Sequence, residues 1–194
     1  MIRTKADLRY YIAEDAKQAG EPVAPSLKQR LVSLLTHNYN RSFMICLRHL
    51  EYHTNNSGFY HRLMALWYSR RHAELRAKTG CEVNVNVAGP GLHLSHGKVV
   101  IGHVAKLGCN CKILSDVTIG GGGRYDIPGA PTLGDRVFVG TGAKLIGKIK
   151  IADGVVIGAN AVVTKDINEP NTTWVGIPAR KVSDEGSYHY LNRG

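Results

Sequence analysis

A parallel β-helix of hexapeptide repeats, preceded by an α-helical region, is the mainly-β fold class that the sequence predicts. From Ile101 onward an aliphatic residue recurs every sixth position, at Ile101, Leu107, Ile113 and Ile119 and then at Leu133, Val139, Leu145, Ile151, Ile157 and Val163. A small or aliphatic residue stands four places after most of these, as at Ala105, Cys111, Val117, Val137, Ala143, Ile149, Val155, Ala161 and Ile167. Glycine often follows the aliphatic directly, at Gly102, Gly108, Gly120, Gly134, Gly140 and Gly158. A period of six fits neither a helix nor a lone strand, so it marks short strands joined by tight turns.

The elements follow in chain order, in three parts: helical at 1–79, the β-helix at 80–170, and a C-terminal extension at 171–194. Thr4 and Asp7 have capping-box spacing, and Leu8, Tyr11 and Ile12 continue at helical spacing towards Gly20. Ser26 is suited to cap a second helix through Leu27, Leu31, Leu34 and Leu35. A third helix is expected from Ser42 to His53, and a fourth from Phe59 to Lys78, ending at Gly80. On the fourth, Tyr60, Leu63, Met64, Trp67 and Tyr68 are expected to pack the helices together or onto the β-helix. The first hexad is read from Val87, with a slip of two residues between Leu92 and Ile101. A second interruption, Gly121 to Thr132, breaks the period before Leu133 restores it. Such breaks in a regular repeat are where loops with a function sit.

Bulk composition narrows the function. The net charge is +10, with 13 Lys/Arg against 6 Asp/Glu in residues 1–80 and 12 against 9 in the remainder. A basic helical part favours anionic partners, such as a phosphate-bearing ligand, an acidic glycan or a membrane face, although a solvated basic surface accounts for it equally. No nucleic-acid motif accompanies the charge, so nucleic acid is not expected as a partner. The charged N-terminus leads into no apolar segment, and no run of about eighteen apolar residues occurs, so a cytoplasmic protein is expected. Cys46, Cys81, Cys109 and Cys111 lack CxxC spacing, which fits a reducing compartment. Cys111 reads as the small inward residue of its hexad rather than as a metal ligand.

His96 stands beside Gly97 within the first interruption, where a local bulge can project an imidazole outward. An imidazole with a reference pKa near 6.5 suits a general base that takes a proton from an attacking hydroxyl.

The stretch LHLSHGKVVIGHVAKLGCNCKILSDVTIGG, followed by GAPTLGDRVFVGTGAKLIGKIKIADGVVIGANAVVTKDI and VGIPARKVSDEGS, resembles the serine acetyltransferase branch of the left-handed β-helix acyltransferases. It is most similar to shortened members tied to capsule and exopolysaccharide synthesis. The resemblance covers residues 80–186, and the first helix more loosely. It implies a left-handed β-helix, acetyl-CoA as co-substrate, no metal, and a homotrimer with active sites between subunits. His96 matches the family's general base. Gly120 and Gly121 fall where backbone N–H groups line the thioester, and Thr141 and Ala159 where backbone groups hold the pantetheine arm. Thr164, Lys165 and Arg180 match positions that meet the nucleotide end of coenzyme A, where cations suit phosphates. The implied mechanism is direct acetyl transfer, with no acetyl-enzyme.

The departures from the family pattern bear on the acceptor. Cys81 occupies the place of an aspartate that supports the histidine, with Glu82 beside it as a substitute if the register shifts. Ser95 replaces a second aspartate, and Gly129 and Ala130 replace an arginine and a histidine that grip the amino acid. These absences lead to the expectation of a sugar acceptor in capsule or exopolysaccharide biosynthesis, which the basic helices would recruit in lipid-linked form at an anionic inner membrane face. Ser95, Asp116 and Asp126 are the candidate acceptor contacts. Serine, as in cysteine biosynthesis, is the alternative acceptor. A γ-type carbonic anhydrase using His93, His96 and His103 on zinc, and a non-catalytic trimeric scaffold, are the remoter readings.

Overall fold

The computed structural model of the protein describes residues 1–23, 38–123 and 129–191. Three helices precede the β-helix: α1 (Lys5–Gln18), α2 (Tyr39–Thr54) and α3 (Phe59–Thr79). The capping box at α1 forms as expected. The Thr4 hydroxyl accepts from the Asp7 N–H, and the Asp7 carboxylate accepts from the Thr4 N–H at 2.8 Å. Gly80 ends α3 in the left-handed conformation (φ 68°) that suits glycine at this position. The helix expected after Ser26, through Leu27, Leu31, Leu34 and Leu35, lies outside the described residues.

The apolar residues of α3 behave differently from expectation. Tyr68 packs at the edge of the core and stacks on His49 at 4.9 Å. Tyr60, Leu63 and Trp67 are instead exposed, with Trp67 56% accessible. Apolar side chains occur at 59, 60, 63, 64, 66, 67 and 68, wider than one helical stripe, so packing one face leaves the others in solvent.

The repeat folds into three flat faces. The first holds β1 (Glu82–Val83), β3 (Val100–Ile101), β6 (Thr118–Gly120), β9 (Lys144–Ile146) and β12 (Val162–Val163), all parallel. The second holds β4 (Lys106–Leu107), β7 (Thr132–Leu133) and β10 (Lys150–Ile151). The third holds β2 (His93–Leu94), β5 (Lys112–Ile113), β8 (Phe138–Val139) and β11 (Val156–Ile157). It continues through β13 (Thr173–Val175) to β14 (Arg180–Ser183), which pairs antiparallel.

Within each two-residue strand one side chain points inward. Ile101, Ile119, Leu145 and Val163 stack in register along the first face, each buried to 2% exposure or less. Main-chain hydrogen bonds between coils satisfy the backbone around this apolar interior. Truncating one such leucine to alanine costs about 2–5 kcal/mol.

The slip near Leu92 resolves differently from the sequence reading. Leu94 pairs with Ile113, and Ala88 bridges Leu107. The run from Leu94 to Ile101 spans seven positions, whereas Ile113 to Ile119 spans six. One extra residue is therefore accommodated at the turn that carries His96. The C-terminal extension does not break away, because β13 adds to the third face. The chain then returns along the coils, where the Ser187 hydroxyl donates to the Arg136 carbonyl and Tyr190 packs on Phe138 at 4.6 Å.

Candidate functional site

Each coil turns three corners. The corner between the third and first faces carries His96. Leu94, Ile113, Val139 and Ile157 stack in register, so two positions further on His96, Ser115, Thr141 and Ala159 occupy successive levels of one corner. Main-chain bonds tie these levels together. Ser95 N–H donates to Ile113 O at 3.0 Å, Gly142 N–H to Ser115 O at 2.9 Å, and Asn160 N–H to Thr141 O at 2.8 Å. His96, Thr141 and Ala159 are all exposed there. Residues spread over 64 positions of sequence thus form one line along the β-helix.

The His96 turn has a specific anchor. Lys98 adopts φ 65°, and its N–H donates to the Thr79 carbonyl at 3.0 Å. Gly97 lies against that same carbonyl. Only a residue without a Cβ permits this approach, so the glycine beside the histidine has a steric cause.

The next corner, between the first and second faces, carries the other predicted group. Gly120 closes β6 and pairs with Ile146, and its carbonyl accepts from Gly147 N–H at 2.9 Å. Gly121 begins the long insertion and faces the Gly129 carbonyl. Thr164, Lys165 and Arg180 line one cavity of about 390 Å³ with Trp174, Pro178 and Ala179. The turn after β13 returns to the stack here, where Ala179 N–H donates to Val162 O at 2.9 Å. Asp166 also lines the cavity, so two exposed cations against one carboxylate leave it net basic, which suits a phosphorylated nucleotide.

Other candidates stand apart. Glu82 points outward from the first face and ion-pairs with Arg76 at 3.0 Å, while Cys81 beside it is buried. The register shift needed to turn Glu82 towards His96 is absent, because Val83 keeps the inward position. Ser95 is half-buried at the end of β2 and lines a separate cavity with Asp15 and Arg41. Asp116 occupies a turn with φ 59°, where its own carbonyl accepts from Lys144 Nζ. Asp126 lies outside the described residues.

The histidines of the zinc reading do not converge. His103 belongs to the second corner, and His93 is half-buried in β2, its imidazole pushed down to about 4 by burial and then by Lys112 and His96. Among the described residues no three metal-ligating side chains come together. Burial likewise raises the Cys111 thiol to about 12 and the Cys46 thiol to about 11, which disfavours the thiolate a nucleophile needs. No helix among the described residues is long and apolar enough to cross a membrane.

Sequence reasoning missed a buried ionic group at the junction of the two parts. Arg48 is fully buried and pairs with Asp15 at 2.8 Å and Glu51 at 3.0 Å. A signal existed, since Asp15 interrupts the apolar face of α1 begun by Leu8 and Ile12.

Comparison with known proteins bears on the acceptor. Residues 130–165 match the family model of bacterial transferase hexapeptide (six repeats). The chain is 38% identical to a serine acetyltransferase of Mycobacterium tuberculosis over 133 residues, which is 63% of this chain and 57% of that protein. It is 42% identical to one from Helicobacter pylori over 109 residues, 55% of this chain and 63% of that protein. The chain therefore spans about three-fifths of the length of these relatives. Among solved structures, soybean serine acetyltransferase complexed with serine matches 92% of this chain and 70% of its own, with 29% identity and a TM-score of 0.66. The Neisseria gonorrhoeae enzyme in complex with serine gives the same coverage, 27% identity and a TM-score of 0.68.

The fold is thus the hexapeptide-repeat β-helix with an N-terminal helical region. The expectation of a sugar acceptor in capsule or exopolysaccharide synthesis is overturned, because these relatives are serine acetyltransferases. That expectation rested on missing side chains at Cys81, Ser95, Gly129 and Ala130. A missing side chain does not exclude a partner supplied from elsewhere. The Gly129 position lies against the Lys148 side chain, and a Cβ there would sit 2.8 Å from Lys148 Cβ.

Proposed function

We propose that the chain is an acetyl-CoA-dependent serine O-acetyltransferase that acts as a homotrimer. The observation that carries this reading is the alignment of His96, Thr141 and Ala159 along one corner of the β-helix, in a chain whose relatives are serine acetyltransferases. In this reading the pantetheine arm runs along that corner. Its nucleotide end reaches the cavity of Thr164, Lys165 and Arg180.

His96 takes the proton of the serine hydroxyl as the oxygen attacks the thioester carbonyl, forming the C–O bond. Backbone N–H groups of the Gly120–Gly121 segment stabilise the oxyanion. The C–S bond then breaks, and the coenzyme A thiolate recovers the proton from the imidazolium. The stem of Lys148 lies against Gly129, where the family pattern has an arginine, and in this reading its ammonium would serve the carboxylate of serine.

Trimer formation is part of the proposal because the first face separates the two corners within one chain. A thioester that meets both His96 and Gly120–Gly121 would lie between neighbouring copies, with one corner drawn from each.

The test is thiol release from acetyl-CoA with L-serine. Serine-dependent release that falls by roughly 10²–10⁴-fold in His96→Ala is the expected result. Release that is independent of serine, or unchanged in the variant, overturns the assignment.

A further inference from the structure

The helical region grips the β-helix through a buried ionic group, and the segment it grips leads directly to His96. Arg48 donates through Nε and Nη2 to the two carboxylate oxygens of Asp15, at 2.8 and 3.2 Å, and through Nη1 to Glu51 Oε2 at 3.0 Å. Its remaining bonds reach the main chain of the first coil, to Ala88 O at 3.1 Å and Gly89 O at 2.8 Å. The carboxylates do the same. Asp15 Oδ1 accepts from Gly91 N–H and Leu92 N–H, each at 2.9 Å, and Glu51 Oε1 accepts from Asn86 N–H at 2.8 Å. Five main-chain groups between Asn86 and Leu92 are thereby fixed by three side chains from two helices.

Beyond His96 the chain is held again by the helical region, through Thr79 O and Lys98 N–H. His96 is thus bracketed between two anchors at Leu92 and Lys98. A buried ion pair carries a desolvation penalty that apolar packing avoids, so holding two layers together does not by itself account for Arg48. Charge-assisted bonds to named main-chain atoms add direction, which apolar contacts lack.

We propose that Arg48, with Asp15 and Glu51, is a positioning group for His96, setting the corner that presents the imidazole through the main chain of Asn86–Leu92. The proposal rests on the reading of His96 as the general base.

The experiment compares the intact protein with Asp15→Asn, which keeps the shape and removes the charge. A second variant, Arg48→Met combined with Asp15→Leu and Glu51→Leu, keeps an apolar junction and cannot grip the main chain. Serine-dependent thiol release is measured for each in the wild-type and His96→Ala backgrounds, and amide hydrogen exchange is followed across the chain. We expect kcat to fall about tenfold or more, KM for acetyl-CoA to stay within about twofold, and the loss to shrink below about twofold once His96 is alanine. Exchange should quicken about tenfold or more at residues 91–98 while the coils beyond Ile101 keep their protection. Equal losses in both backgrounds, or unchanged exchange at 91–98, overturn the proposal. If the wild-type protein shows no serine-dependent release, the serine reading fails, and the exchange comparison alone then decides the clamp.

Discussion

Gly97 rests on the main-chain carbonyl of Thr79 so closely that a Cβ would lie 2.0 Å from the oxygen. The last turn of α3 and the turn bearing His96 are in contact without side chains between them. Gly97→Ala must push the two apart, at a cost of about 1–3 kcal/mol for an overpacked site. With His96 as the proposed base, its displacement should lower serine-dependent turnover by about 10²-fold. Chemical denaturation and thiol-release assays on the same preparation check both expectations.

The cavity of Lys165 and Arg180 should be felt in coenzyme A affinity rather than in chemistry. Lys165→Ala and Arg180→Ala should each raise KM for acetyl-CoA roughly tenfold, with kcat nearly unchanged. Because both cations are exposed, the wild-type KM should rise with added salt, and the double variant should lose most of that dependence.

Lys148 predicts the opposite pattern. Lys148→Ala should raise KM for L-serine by about tenfold and leave KM for acetyl-CoA alone. Steady-state kinetics with each substrate varied in turn separates the two effects.

Stability should respond to acid through two histidines, one buried and one half-buried. Burial pushes His72 and His93 from 6.5 down to about 4, with Arg76 adding to the shift at His72. Between these values the unfolded chain binds protons that the folded chain refuses, so stability falls as pH drops below about 6.5 and levels off near 4. By pH 5 each histidine should cost about 1 kcal/mol after allowance for solvent screening. His72 packs on Phe43 at 4.8 Å, so His72→Phe keeps the contact and should narrow the gap between urea midpoints at pH 7 and pH 5.

Much of this architecture was legible in advance because the interior of a β-helix admits one side chain per strand. The sixfold aliphatic series at Ile101, Ile119, Leu145 and Val163 is that constraint written along the chain. The capping box at Thr4 and the stop at Gly80 were equally local, and both formed. The exposed side of α3 was misjudged because Tyr60, Leu63 and Trp67 keep the i, i+3, i+7 spacing of one apolar stripe, whereas it is Tyr68, on a different face, that meets the core. The group of Arg48, Asp15 and Glu51 escaped notice because the Arg48–Asp15 pair is made across 33 positions of sequence and the group's other partners are main-chain groups; the one local sign was Asp15 on the apolar face of α1. The acceptor was misread for a related reason: counting the side chains absent at Gly129 and Ala130 says nothing about Lys148, which folding brings alongside.

A stack of identical coils has no internal reason to stop growing. The antiparallel strand β14 supplies one for the third face. A second molecule offering its own coil in continuation would meet a strand of reversed polarity there. Lys181, held by Glu169 at 2.5 Å and Asp184 at 2.6 Å, adds charge to this rim. The hairpin therefore gives the third face an edge that a further parallel coil cannot simply continue, and the repeat is closed on this face by a change in chain direction.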